Sequence, residues 1–204
     1  MNSIDYHDVF GYSAGILLIV GMFPYVRSII KTKKEGEEKT ELNRASWLIW
    51  MAIGIINLFA YFSAGEKETI WFVVVGALNP TILFVLSLKF GEKHWYGLDT
   101  VCLVLAIVAL ILWKTTGNPV LALAACLSAD ALAIIPTFIK VRNKPLSENL
   151  TGWFIGLLAS FSNMMAVKEW TWTNGIYTLY MVVGFLSIVW AIVLTRWQKR
   201  ISII

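Results

Sequence analysis

Long apolar segments dominate the chain, and short polar segments separate them. A helix needs about 20 apolar residues to cross a hydrocarbon core of roughly 30 Å. Backbone polar groups find no hydrogen-bond partners in lipid, and the segments lack the alternation of barrel strands. The pattern therefore predicts membrane-spanning α-helices.

We predict seven spans in the 204 residues. They cover residues 9–30, 45–64, 69–89, 98–113, 119–140, 150–167 and 174–195. The composition agrees, because 58% of the residues are hydrophobic and only 15% are charged, against about 25% charged in soluble domains. No basic segment precedes the first span, which is typical of a retained helix and not of a cleaved signal peptide. We expect an all-α integral membrane protein.

The basic residues predict the orientation of the chain. With the amino terminus outside, fourteen of the 17 Lys and Arg residues fall on the inner face and three on the outer face. Inner loops of membrane proteins carry an excess of Lys and Arg. We therefore expect an outer amino terminus and a cytoplasmic carboxyl terminus, in the cell (inner) membrane. Topology explains the positive charge, so no nucleic-acid partner is expected.

Two parts of the chain resemble each other. Pro24 and Pro136 each lie near the inner end of a span and precede a basic loop, in MFPYVRSIIKTKK and IIPTFIKVRNKPLSE. The following spans can be overlaid, 46–60 on 152–166, with Trp, Ile, Asn and Ala identities. This predicts a 3+1+3 arrangement of parallel repeats: residues 1–97, a linker helix in 98–118, and residues 119–204. In such proteins the substrate site usually lies between repeats, near mid-membrane.

This architecture and the proline-plus-basic-loop junctions resemble the PQ-loop and SWEET (MtN3) transporter superfamily. The glutamine expected after each proline is replaced by Tyr25 and Thr137. The resemblance implies a carrier for a sugar, an amino acid or a similar small molecule. Vitamin carriers of the PnuC type share the general architecture.

Asp130 is the principal candidate for a functional residue. It lies near the centre of the fifth span, where a carboxylate costs several kcal/mol unless it meets a cavity or a partner. It either contacts substrate or protons, or is a structural carboxyl hydrogen-bonded to Ser128 or to another helix. Both readings stay open, and Ser128 joins the candidate site.

Amides and one tryptophan complete the candidate substrate site. Asn57, Asn79 and Asn163 lie inside spans, away from the interfaces. Each can bind substrate polar groups or join helices. Trp50 lies a turn deeper than the tryptophans that mark the membrane interface.

Three prolines inside predicted helices are candidate hinges: Pro24, Pro80 and Pro136. Proline removes a backbone hydrogen bond and kinks a helix. The alternative is a static kink stabilised by packing.

The leading hypothesis is an alternating-access transporter or facilitator of a polar metabolite, with protons as a further coupling partner. The alternative is a non-transporting receptor or assembly factor on the same scaffold. We expect no enzyme, cofactor or metal site, because the sequence shows no nucleophile elbow, phosphate-binding loop or metal-binding motif. One chain suffices for a pathway, although an oligomer is compatible with the sequence.

Overall fold

A computed structural model describes residues 5–31, 37–65, 69–91, 95 and 97–201. Four basic residues used to predict the orientation lie outside the described residues: Lys33, Lys34, Lys67 and Lys93.

The described chain consists of helices and loops. The helices are α1 (Tyr6–Ile30), α2 (Arg44–Ala64), α3 (Ile70–Phe90), α4 (Gly97–Thr116), α5 (Pro119–Asn143), α6 (Leu150–Met165) and α7 (Trp172–Ile201). Each overlaps one predicted span. The largest difference is in α7, which continues to Ile201 because its last turns leave the apolar segment and end on basic residues.

Side-chain caps fix where several helices begin. The side chains of Asn43, Asn118 and Asn149 accept hydrogen bonds from the first free backbone N–H groups of α2, α5 and α6. Pro119 occupies the first turn of α5, where its missing N–H costs nothing. At the other end of α2, Gly65 adopts the left-handed conformation, with φ 75°, that helix ends commonly require.

In the part of the chain that the structure describes, five helices are long and apolar enough to cross a membrane: α1, α2, α3, α5 and α7. The shorter helix α6 is also apolar. Large apolar side chains such as Phe23, Leu78 and Val183 are more than half exposed on the outside of the bundle, which fits a lipid environment. These features support an integral membrane protein.

Six helices form a closed ring in the order α1, α3, α2, α5, α7, α6. Helix α4 lies outside the ring, against α5 and α2. The contact of α1 with α6 is close because both helices carry glycine there. A Cβ on Gly21 would lie 3.2 Å from the carbonyl oxygen of Gly152, and one on Gly152 would lie 3.1 Å from that of Gly21. Small residues allow such backbone approach.

Candidate functional site

The ring surrounds a cavity of about 200 Å³ that is partly open. Every helix of the ring contributes to its lining, so the cavity lies where the first three helices meet the last three. Most lining side chains are aromatic or aliphatic. The carboxyl and amide groups among them are Asp130, Asn57 and Asn79. A concave apolar site with a few polar groups is the usual form of a small-molecule site.

Asp130 faces this cavity and is held by a residue of another helix. The hydroxyl of Tyr180 on α7 donates to Oδ2 of Asp130 over 2.6 Å. The predicted alternative partner, Ser128, is exposed and donates instead to the carbonyl oxygen of Ala124, over 2.8 Å. Residues two apart on a helix point in nearly opposite directions, so Ser128 does not line the cavity.

The three predicted amides occupy different environments. Asn57 lines the cavity, is 3% exposed, and its Oδ1 has no hydrogen-bond partner among the described residues. Asn79 also lines the cavity and donates from Nδ2 to the carbonyl oxygen of Leu18, over 3.2 Å. Asn163 is fully buried and donates to Thr178 over 3.4 Å. The structure therefore brings Asn57 and Asn79 to Asp130's cavity and leaves Asn163 between packed helices.

Aromatic rings form one wall of the cavity, which we call the aromatic wall: Tyr25, Trp47, Trp50, Trp153 and Phe185. Their centroids lie 4.8 Å apart for Trp47 and Trp50, and 5.7 Å apart for Trp153 and Phe185. Tyr25 meets both Trp47 and Trp153 edge to face. The wall combines residues from the two parts of the chain that resemble each other.

Beyond the aromatic wall lies the buried carboxylate of Glu148. Glu148 is 2% exposed, and its Oε2 accepts from the Tyr25 hydroxyl at 2.8 Å and from Nε1 of Trp153 at 2.9 Å. Its other carboxylate oxygen forms an ion pair with Lys140. Two cavity-lining rings are therefore tied to one buried carboxylate. Charge-assisted bonds of this kind are stronger than neutral ones.

The loops that carry these groups also pair directly, and we call residues 38–41 with 144–149 the loop lock. Lys39 N–H donates to the carbonyl oxygen of Leu146 over 2.9 Å, and Glu41 N–H donates to that of Ser147 over 3.1 Å. The lock connects the α1–α2 loop to the α5–α6 loop, and so joins the two halves of the chain.

Charged side chains reinforce the loop lock. Arg196 from α7 bonds Glu38 at 2.7 Å and the carbonyl oxygen of Glu148 at 2.7 Å. Lys140 donates to the carbonyl oxygen of Glu41 over 2.7 Å. These contacts join both loops to α5 and α7.

A different network lies at the opposite end, and we call Tyr61, Thr69 and Asn174 the hydroxyl–amide cluster. The Tyr61 hydroxyl donates to Oδ1 of Asn174 over 2.8 Å, and Thr69 Oγ1 lies 2.9 Å from the same oxygen. All three residues are fully buried. The ring of Tyr177, which lines the cavity, lies 5.3 Å from that of Tyr61. Both ends of the cavity therefore meet buried polar contacts.

The prolines lie inside their helices as predicted: Pro24 in α1, Pro80 in α3 and Pro136 in α5. Pro80 lines the cavity. Pro24 directly precedes Tyr25, which carries the bond to Glu148. Pro24, the candidate hinge in α1, is thus adjacent to Tyr25, which connects the cavity to the loop lock.

Sequence reasoning did not select Glu148, Tyr180, Trp153 or Tyr25 as site residues. Tyr25 was visible only as the residue that replaces a glutamine after Pro24. A glutamate in a basic loop and a tyrosine in an apolar span carry no distinctive sequence signal. Comparisons with family models, curated proteins and solved structures found no match to this chain.

Proposed function

We propose that the protein is a membrane facilitator that moves a compact polar metabolite by alternating access. The observation that carries this proposal is the central cavity, which has a carboxyl and two amides in its lining and a different polar network at each end. A carrier needs a site that can be closed from either side. Bonds that can break and re-form, such as those in the loop lock, suit that requirement.

The order of helices in the ring supports a duplicated 3+1+3 architecture. Exchanging α1, α2 and α3 with α5, α6 and α7 leaves the order of neighbours unchanged, and α4 serves as the linker. Parallel repeats of this kind are related by an axis along the membrane normal. On this proposal the chain is built as in the PQ-loop and SWEET transporters that its sequence resembles, with units at 1–97, 98–118 and 119–204.

The loop lock belongs to the end that we propose to be cytoplasmic. Lys39, Lys140, Lys144 and Arg196 lie at this end, and inner faces of membrane proteins are rich in Lys and Arg. The amino terminus would then be outside, in the cell membrane. The structure would represent a state closed towards the cytoplasm.

Opening would require the loops to separate and α1 to bend. Pro24 and Pro136 lie close to the loop lock in sequence, and Pro80 lies beside the cavity. Helix kinks at proline give defined places for bending. In this mechanism Asp130, Asn57 and Asn79 contact the metabolite, and the three prolines permit the movement.

A reversible cross-link across the loop lock tests the proposal. Lys39 and Leu146 are joined by a backbone hydrogen bond. In a chain with Cys102→Ala and Cys126→Ala, Lys39→Cys and Leu146→Cys are oxidised, and mass spectrometry verifies that the disulfide has formed. Proteoliposomes would be assayed for uptake of radiolabelled sugars, amino acids and water-soluble vitamins. We expect oxidation to stop uptake of the transported compound and reductant to restore it. The two single-cysteine variants serve as controls.

The same experiment separates a carrier from a receptor. A receptor on this scaffold would bind a compound without carrying it, with or without the cross-link. Saturable binding with no flux in the reduced protein would refute the proposed transport. Uptake that continues in the fully cross-linked protein would refute the role of the loop lock.

A further inference from the structure

The charge that the cavity lining carries is negative. Among the described lining residues, Asp130 is the only acidic one, and none is Lys, Arg or His. A negative ligand would enter beside a carboxylate without a compensating charge. A positive ligand would gain from that carboxylate in an environment where water screens little.

The polar groups of the lining also favour a ligand that donates hydrogen bonds or carries positive charge. Oδ1 of Asn57 is buried and has no partner among the described residues. The Nδ2 donor of Asn79 is already bonded to Leu18, and the Tyr180 hydroxyl is bonded to Asp130. The second carboxylate oxygen of Asp130 and Oδ1 of Asn79 take part in none of the hydrogen bonds of the described residues. These two oxygens are the acceptors that the cavity lining offers to a ligand.

The aromatic wall supplies the rest of such a site. Trp50, Trp153 and Phe185 line the cavity together with Tyr177. The faces of aromatic rings attract cations, tryptophan most strongly. The hydroxyl of Tyr25 and Nε1 of Trp153 are directed to Glu148, so these two rings offer their apolar surfaces and not their donors to the cavity.

The volume restricts the size of the ligand. The cavity has a volume of about 200 Å³. That is below the range of about 300 to 1,000 Å³ for drug-sized ligands. A single ring or a small quaternary ammonium group fits this space.

We propose that the cavity selects a compact organic cation, whose positive nitrogen lies beside Asp130 and whose body packs against the aromatic wall. This inference rests on the proposed function only in assigning the cavity as the ligand site, since binding requires no transport.

Binding to the purified full-length protein in nanodiscs tests the charge preference. The probes are tetramethylammonium with its neutral isostere tert-butanol and the anion pivalate. A second pair is N-methylpyridinium and pyridine, at a mildly alkaline pH where pyridine is uncharged. Calorimetry and quenching of tryptophan fluorescence report binding. We expect each cation to bind at least tenfold more tightly than its neutral partner, and pivalate not to bind.

Variants of α5 and α7 identify the source of the preference. Asp130→Asn keeps an acceptor for Tyr180 and should abolish the preference for cations. Tyr180→Phe keeps the carboxylate and should retain the preference, which also shows that the pocket survives loss of that bond. Ser128→Ala is the matched control, because Ser128 lies outside the cavity. Thermal melting confirms that each variant is folded.

The outcomes distinguish this inference from the proposed transport. Equal binding of cations and neutral isosteres, or a preference that persists in folded Asp130→Asn protein, overturns the cation site and leaves transport of another compound standing. Cation binding that depends on Asp130, with no flux in proteoliposomes, supports the cation site and refutes transport.

Discussion

Tyr25 gives the sharpest test of how the cavity communicates with the loop lock. Tyr25→Phe removes the hydroxyl that donates to Glu148 over 2.8 Å and keeps the ring against Trp47 and Trp153. A hydrogen bond to a charged group is worth about 1.5–3 kcal/mol. Glu148 keeps its other donors, Trp153 and Lys140, so we take about 1.5 kcal/mol, the lower end of that range.

That loss destabilises only the state in which the lock is closed. Since about 1.4 kcal/mol corresponds to a tenfold change in an equilibrium constant, the open population should rise about tenfold. When opening is a rapid equilibrium, the accessibility of a cavity residue rises by the same factor. The bond therefore makes a quantitative prediction about access from the end that carries the lock.

The assay uses a cysteine placed in the cavity. Ile53 lines the cavity and is 3% exposed. In a chain with Cys102→Ala and Cys126→Ala, Ile53→Cys would be labelled with a polar maleimide in nanodiscs. Tyr25→Phe should raise the labelling rate about tenfold, and Tyr12→Phe, an exposed tyrosine of the same helix, should leave it unchanged.

A disulfide between cysteines at positions 39 and 146 should cancel the increase in labelling. If Tyr25→Phe lowers the melting temperature and leaves the labelling rate as it was, the bond to Glu148 persists in all states. The reasoning about the lock would then be refuted.

Three further predictions concern the amides, the cavity shape and the amino-terminal end. Asn163→Ala should lower the free energy of unfolding by about 0.5–1.5 kcal/mol, because it removes one buried hydrogen bond of 3.4 Å; Asn57→Ala should instead weaken ligand binding in calorimetry. Gly156→Ala should lower ligand affinity, since the new Cβ would overlap Phe185 and push its ring into the cavity. The pKa of Asp5 is lowered, chiefly by the hydrogen bond that its carboxylate accepts from Lys168. The ionised carboxyl therefore stabilises the start of α1 above the ordinary carboxyl pKa, and this stabilisation is lost as pH falls through the lowered pKa. Hydrogen exchange in the first turn of α1 should detect the loss.

Each of these has a contradicting result. Equal losses of stability for both asparagine variants would remove the distinction between a packing amide and a cavity amide. Unchanged affinity in the glycine variant would mean that the ring can move away from the ligand. Protection factors, which remove the pH dependence of chemical exchange itself, would exclude the carboxyl if they do not change with acid in the first turn of α1, or if they change equally in Asp5→Asn.

The apolar pattern was sufficient to predict the helices but not the directions in which their faces point. In a soluble helix, the polar side identifies solvent and the apolar side identifies the core. Here lipid and interior are both apolar, so the sequence around Ser128 and Asp130 does not show which residue faces the cavity. The structure resolves this, since Ser128 is exposed and Asp130 bonds Tyr180.

Long-range partners were the second element that sequence reasoning could not supply. In the sequence, Glu148 is one of several charged residues in a basic loop, and Tyr25 is a residue that replaces an expected glutamine. Their contact spans 123 residues and depends on the loop pairing. The deep position of Trp50 was recognisable, because it lies a turn inside the residues that mark the interface, and the structure places it in the cavity lining.

The bond between Asp130 and Tyr180 has a consequence for biosynthesis. The two residues are 50 positions apart, and the tyrosine lies on the last helix. Translation proceeds at about 5–20 residues per second. Tyr180 is therefore synthesised roughly 3–10 seconds after Asp130. An unpartnered carboxylate at mid-membrane costs about 2.5–3.5 kcal/mol on insertion scales. A chain that stops short of Tyr180 therefore lacks the partner that offsets this cost for the carboxyl of α5.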